Sequence, residues 1–272
     1  MQDAGAMALA RQKDVDFYAP ETKVVGAVHS VITDVDLTVS KMFREFIANE
    51  FDNLDYIILD EETAANLGTD PVAEMNKHEY VFIIDPIDGT LTYASGFPFW
   101  GICIGVFKNG RPFAGGAFAP ALNLMVYADE DKAYAMENGE TKELKPLPDT
   151  TETPPLVVLN NAIARKNLNM DLREIQPLQF YSAVMNLIYV AMNRARGYWF
   201  GVNLWDIAGF LPIFARIGIQ VRGMKNGKEF LPFDSGSYKS DKLIVDQIYV
   251  VSRPKYYDWM KNIVNENKKD NI

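Results

Sequence analysis

Asp85 and Asp88 stand three residues apart inside the stretch 80–101, YVFIIDPIDGTLTYASGFPFWG. Two carboxylates at that spacing can converge on one cation, and Pro86 between them limits how far a turn there relaxes. Gly89 lets a ligand approach the backbone. If a helical turn begins at this point, the amides of Gly89 and Thr90 point at an anion. The chemistry this suits is a hard cation held by oxygen next to an anionic group. The same residues also make an ordinary tight turn, because Asp-Pro and Asp-Gly are turn dipeptides whose carboxylates bond their own backbone. On these residues alone both readings stand.

Either reading needs a scaffold. Residues 80–84 are apolar and β-rich throughout, as a strand covered on both faces is. Upstream, residues 1–19 pattern as a short first helix and 23–33 as a β-rich run. Val39, Met42, Phe43, Phe46 and Ile47 recur at helical spacing, which predicts a helix over 37–51 with Asp36 placed to cap it. Residues 56–59 form a short strand before Asp60, Glu61, Glu62 and Thr63. Downstream, strands over 101–107 and 112–118 flank Asn109-Gly110, a hairpin signal. Strands over 124–128 and 132–136 flank the acidic turn 129–131 and close an antiparallel meander.

Residues 145–155 hold four prolines and no apolar periodicity, which predicts a linker. It divides an N-terminal α+β half, 1–145, from a C-terminal α/β half, 156–272, in one continuous catalytic unit. The second half reads as strands over 156–159, 178–180, 198–200, 219–222 and 247–252. Helices alternate with them over 168–175, 182–194 and 205–217, with Gly218 as a stop. Residues 234–246 form a polar loop, and Pro254 opens a closing helix.

The composition narrows the chemistry. The 272 residues carry a net charge of −9, which disfavours binding to nucleic acid. One cysteine, Cys103, excludes a disulfide framework and points to the cytoplasm. With that one cysteine and two histidines, His29 and His78, a nitrogen- or sulfur-rich zinc site is hard to assemble, so an oxygen-held metal such as Mg²⁺ is expected. The N-terminal residues show no signal-peptide pattern. The most apolar run, 99–107, is too short to span a bilayer, so no membrane partner is expected.

D-P-I-D-G-T resembles the first signature of the inositol monophosphatase family, within the wider superfamily of magnesium-dependent, lithium-sensitive phosphatases. Three further blocks occur in the order that family has them. V-I-T-D-V-D carries Asp36 with Thr33 just before it, D-E-E-T carries Glu61, and W-D-I-A-G carries Asp206. The resemblance covers most of the chain, from Lys23 onward.

It implies an α+β fold, a layered αβαβα sandwich of the sugar-phosphatase type. The N-terminal half would hold an antiparallel sheet and the C-terminal half a mixed one, and the usual assembly is a homodimer. Glu61, Asp85 and the Ile87 carbonyl would hold one Mg²⁺, and Asp85, Asp88 and Asp206 a second. A third, weaker ion would lean on Glu61, and Mn²⁺ can substitute. Glu61, Thr90 and Asp36 would form the catalytic group, Thr90 with Asp36 orienting or deprotonating the attacking water. The substrate would meet Asp88, Gly89, Thr90, Ser182, Ala183, Trp199 and Asp206. Phosphate monoesters are inert, so a catalyst must neutralise charge on both sides of phosphorus, and paired ions about 3.5–4 Å apart do so.

The implied activity is Mg²⁺-dependent hydrolysis of a small polyol or sugar monophosphate, such as inositol monophosphate, with lithium inhibition. The alternatives are a 3′-phosphoadenosine-type nucleotide phosphatase, a fructose-1,6-bisphosphatase, and an inactive binding or scaffold member of the fold. Four departures bear on the choice. Trp199 replaces the glutamate that binds inositol hydroxyls, and it cannot accept those bonds. Thr92 replaces a frequent asparagine, Pro212 falls inside the helix after the W-D pair, and the first helices are short.

Overall fold

The computed structural model describes residues 1–13, 22–25, 28–31, 34–61, 70–159, 169–170, 175–239 and 242–265. Its outermost layer is helical. Helix α1 (Gln2–Gln12) packs beside α2 (Asp34–Glu50), with a hairpin of β1 (Thr22–Val25) and β2 (Val28–Val31) between them in the chain. Val39, Phe43 and Ile47, four residues apart, form the buried stripe of α2. That helix starts three residues before the expected position 37, so Asp36 lies inside its first turn and is not its N-cap.

A sheet of seven strands lies beneath. Its strands are β3 (Tyr56–Asp60), β4 (Tyr80–Asp88), β5 (Gly101–Lys108), β6 (Arg111–Ala119), β7 (Leu124–Ala128), β8 (Ala133–Glu137) and β9 (Glu140–Leu144), side by side in chain order. The link from β3 to β4 carries α3 (Pro71–Met75), and those two strands pair in parallel. Every other neighbouring pair is antiparallel. So the expected antiparallel sheet has one parallel edge, which the crossover through α3 permits. Short α4 (Thr90–Ala94) follows β4. Asn109 and Gly110 turn the β5–β6 hairpin with φ of 50° and 73°, the positive values a tight two-residue turn needs. Strand β9 has no apolar alternation: its ETKEL sequence is exposed along an edge, where polar residues discourage further pairing.

The second sheet is mixed. Its strands are β10 (Leu156–Val158), β12 (Gln176–Leu178), β13 (Gly197–Phe200), β14 (Gln220–Gly223) and β15 (Tyr249–Ser252), ordered β12-β10-β13-β15-β14. Strand β10 runs parallel to both neighbours, and the other pairs are antiparallel. A separate pair joins β11 (Asn169–Met170) to β16 (Val264–Asn265). Of the helix expected over 168–175, residues 169–170 are therefore strand, made so by a partner almost a hundred residues away; 168 and 171–174 lie outside the described residues.

Residues 145–155 carry no helix or strand. The Arg253 guanidinium clamps them by donating to the carbonyls of Pro148 (2.6 Å) and Thr151 (2.7 Å), and the Lys255 ammonium donates to the Asp149 carbonyl (2.6 Å).

Helices α5 (Ala183–Ala191), α6 (Trp205–Ala208) and α7 (Phe210–Ile217) fill the space between the sheets, and α8 (Tyr257–Ile263) covers the far face of the second. The helix expected over 205–217 is thus two helices, divided at Gly209. Pro212 has no N–H to give the Ala208 carbonyl, which removes the bond that would join them. Gly209 also lies directly on the first sheet: a Cβ there would stand 2.5 Å from the Gly116 carbonyl and 2.7 Å from Cys103 Sγ. Among the described residues, no helix is long and apolar enough to cross a membrane.

Candidate functional site

The strand expected over 80–84 does not stop at Ile84. It runs on to Asp88 through a bulge: Asp85 sits opposite Cys103 and Asp88 opposite Gly101, three steps on β4 against two on β5. In a regular strand, residues three apart point to opposite faces. The extra residue restores the phase. Val81 and Ile83 face the helices between the sheets, whereas Phe82, Ile84 and Ile87 face the outer helices. Asp85 and Asp88 consequently share the inner face. Pro86 sits in the bulge, where the ladder has no use for its missing N–H.

Asp206 arrives from the other side. It is the second residue of α6, and α6 rests on β5 without intervening side chains. A Cβ on Gly105 would stand 2.5 Å from the Ala208 carbonyl carbon and oxygen. This close approach lets carboxylate oxygens of Asp85, Asp88 and Asp206 all lie within 4.8 Å of one another. The Asn203 amide donates to Asp206 Oδ2 at 2.7 Å and fixes its rotamer.

Such a cluster is electrostatically costly by itself. Burial pushes the Asp85 carboxyl well above the usual carboxylate range, and the charges of Glu61, Asp88, Asp206 and Asp36 push it further. Asp206 is also raised well above its ordinary value, first by burial and then by Asp88 and Glu61. Burial raises Asp88 too, against hydrogen bonds from the Ser182 hydroxyl and the Val184 and Ala183 amides that favour its ionised form. Asp85 Oδ1 is buried without a hydrogen-bond partner among the described residues. Crowded acids, all-oxygen donors and an orphaned carboxylate oxygen fit a hard divalent cation.

Glu61 and Asp36 act on this group from β3 and α2. Glu61 is half-buried at the end of β3, and Asp36 is buried. Thr33, Glu62 and Thr63 lie outside the described residues. What holds Glu61 and Asp36 in place was not evident from the motifs. Asp60 is completely buried, and its Oδ2 accepts from Ser40 Oγ (2.5 Å) and Arg44 Nε (2.9 Å). Asp36, Ser40 and Arg44 fall four residues apart on one face of α2. Polar residues at that spacing, beside the apolar stripe, are the signal that could have revealed the contact. Arg44→Ala leaves the Asp60 charge buried beside an acidic site. It is expected to cost about 2–3 kcal/mol of stability, measured by urea unfolding, and to weaken cation binding as Glu61 shifts.

The remaining expected residues divide. Gly89 has a φ of 83° and caps α4; a Cβ there would meet Thr92 Oγ1 at 2.8 Å and Ser182 Cβ at 3.0 Å. Thr90 Oγ1 donates to the Ile87 carbonyl at 3.0 Å. Thr92, in place of the frequent asparagine, puts its hydroxyl within range of the Gly89 (2.7 Å) and Phe99 (2.5 Å) carbonyls and so ties the loop.

Ser182 caps α5, receiving the Met185 amide at 3.1 Å, and its hydroxyl donates to Asp88 Oδ2. The Ala183 amide donates to Asp88 Oδ1 (3.1 Å) and the Val184 amide to Asp88 Oδ2 (2.7 Å). The donors of Ser182 and Ala183 expected to face a substrate are thus engaged by Asp88, whose charge suits a helix N-terminus.

Trp199 does not reach the site. Tyr198 and Phe200 of β13 face the core between the sheets, and Trp199 between them points the other way, fully buried against α8. Strand alternation makes the substrate contact expected of Trp199 impossible here. Beside Asp88 and Asp206 opens a cavity of about 180 Å³, also lined by Tyr181, Ser182, Asn186 and Tyr198.

The profile described as "Inositol monophosphatase family" matches residues 6–249. Inositol monophosphatase 1 of Saccharomyces cerevisiae is 25% identical over 245 residues, covering 84% of this chain and 79% of the relative. The fructose-1,6-bisphosphatase/inositol-1-monophosphatase of Thermotoga maritima is 30% identical over 226 residues, covering 81% of this chain and 82% of its own. A solved structure of an IMPase from Thermotoga maritima shares the fold, with a TM-score of 0.75 at 24% identity over 98% of this chain and 94% of that one.

Proposed function

Because the chain belongs to the inositol monophosphatase family, we propose that it is a Mg²⁺-dependent phosphomonoesterase whose substrate is a small polyol or sugar monophosphate, such as inositol monophosphate. Phosphoric monoester hydrolysis comes with the family; the cation and the substrate are our reading. One observation carries it: Asp85, Asp88 and Asp206 converge from two layers of the fold, and Asp85 keeps a buried oxygen unpaired among the described residues.

Glu61, Asp85, Asp88, Asp206 and the Ile87 carbonyl would hold the ions. When bound, such ions would supply the positive charge that phosphoryl transfer to water demands on the attacking and leaving oxygens. The chain does the rest. Gly89 lets the turn close tightly against Thr92 and Ser182, and the Gly89 and Thr90 amides at the start of α4 would receive phosphoryl oxygens. Thr90 steadies the Ile87 carbonyl through its 3.0 Å bond. Thr90, Glu61 and Asp36 would orient the attacking water, a carboxylate of Asp36 or Glu61 would take its proton as the P–O bond to the alcohol breaks, and the departing alkoxide would take a proton from solvent. Asp88, fixed by three donors at the start of α5, holds its carboxylate at one wall of the substrate cavity.

The test is phosphate release from inositol monophosphate, fructose 1,6-bisphosphate and phosphoadenosine phosphate, titrated with Mg²⁺ and Mn²⁺. The expected result is Mg²⁺-dependent release, fastest on the polyol phosphate, abolished by chelator and inhibited by lithium. No release from any of the three, together with no Mg²⁺ or Mn²⁺ binding by calorimetry, would sink the proposal in favour of an inactive scaffold.

A further inference from the structure

We propose that Asn186 and Tyr181 read the alcohol part of the substrate. The Asn186 amide oxygen accepts from a hydroxyl of a compact polyol, and the Tyr181 ring lies over that polyol's C–H face. This rests on the phosphomonoesterase reading above and names what that site discriminates.

Asn186 is only 2% exposed, and it lines the cavity together with Asp88 and Asp206. Its Oδ1 has no hydrogen-bond partner among the described residues. A buried amide oxygen left unpaired is destabilising, and a ligand in this cavity can supply the donor it lacks. Asn186 shares the cavity with the two carboxylates, so that donor is a hydroxyl of the molecule whose phosphate they face. Trp199, lying on the opposite face of β13, leaves that task to α5.

Tyr181 adds a second, independent observation. Its φ is 58°, in the left-handed region. Among the described non-glycine residues with positive φ, four are asparagines, which tolerate it; the others are Tyr181 and Leu243. Leu243 is buried in the core, so packing accounts for its conformation. Tyr181 is 55% exposed. Its neighbour Phe180 packs on Phe99 and Tyr189, with ring centroids 5.3 and 5.2 Å away, so the pair divides into an inward and an outward ring. Backbone strain that packing does not account for gathers at ligand sites. A tyrosine at a cavity mouth offers a stiff flat face with few torsions to freeze.

The cavity's size suits a compact alcohol. About 180 Å³ lies below the ~300 Å³ where drug-sized pockets begin. One small hydroxylated ring fits beside Asn186.

The test compares kcat and KM of the full chain and of Asn186→Leu and Tyr181→Gly. The substrates are inositol monophosphate, a sugar monophosphate, adenosine monophosphate and para-nitrophenyl phosphate, whose leaving group has no further hydroxyl. A wild-type chain silent on all four defeats the phosphomonoesterase reading itself. Turnover of the aryl ester or nucleotide with none of the polyol or sugar phosphates overturns this inference alone. With polyol turnover established, Asn186→Leu is expected to raise KM on the polyol phosphate about tenfold more than on the aryl ester, the loss of one hydrogen bond, with a melting temperature no lower than wild type. Tyr181→Gly is expected to raise the same KM selectively while holding or raising the melting temperature, because glycine relieves the left-handed strain. Equal changes on both substrates, or a lowered melting temperature with KM unmoved in both variants, overturn it.

Discussion

Asp85→Asn is expected to lower Mg²⁺-dependent phosphate release by roughly 10³-fold, about 4 kcal/mol of barrier, while raising the melting temperature of the metal-free protein. The two effects have one cause. Asp85 is buried, its Oδ1 has no partner among the described residues, and Glu61, Asp88 and Asp206 repel its charge. An amide of the same shape removes that repulsion, so the empty cluster relaxes. It also removes an anionic ligand shared by two proposed ion positions, so the loaded site loses its grip. Steady-state assays with Mg²⁺ titration and thermal melts in chelator read the two arms. Activity within tenfold of wild type would remove Asp85 from the ion site. A lowered metal-free melting temperature would mean that its charge has a cationic partner in the fold.

Saturating Mg²⁺ should raise the melting temperature of the wild-type chain by about 5–10 °C. At a hundred times Kd a ligand confined to the folded state contributes about 2.7 kcal/mol, and each kcal/mol moves a chain of this size by ~2–4 °C. The gain should depend on pH with a definite sign. Asp85 and Asp206 have folded values well above the ordinary 3.8, so the folded state binds their protons more tightly than the unfolded state. Their contribution to stability is therefore fully present below the unfolded value and is lost as pH rises from there through the raised folded values. Mg²⁺ competes with those protons, and its stabilisation grows across the same rise. Melts with Mg²⁺ and with chelator, in mildly acidic and mildly alkaline buffer, measure the difference; a gain that shrinks as pH rises would contradict the cluster as its source.

Several features were legible from a few neighbouring residues because a few neighbours cause them. Asn109-Gly110 makes its hairpin through the backbone freedom of those two residues. Asp129 closes its turn by accepting from the Asp131 (2.9 Å) and Lys132 (2.7 Å) amides, all within four positions. Gly218 ends α7 with a φ of 73°, as a stop signal should. The apolar run after Ser182 formed α5. The boundaries that moved depended on distant partners: β9 exists because β8 offers an edge, and β11 because β16 lies across from it.

The order and types of the acidic motifs, the family they mark and the oxygen-only character of any metal site were written in the chain itself, because side-chain chemistry does not depend on the fold. Which of those side chains meet was decided in three dimensions. One extra residue in β4 turned Asp88 to the face of Asp85. Two glycines let α6 lie on β5 and deliver Asp206. Strand alternation turned Trp199 away from the cavity toward α8, α5 carried Asn186 to it, and the bond from half-exposed Arg44 to buried Asp60 set the distance from α2 to Glu61. Register, close approach and facing direction belong to pairs of elements far apart in the chain, and no local run of residues contains them.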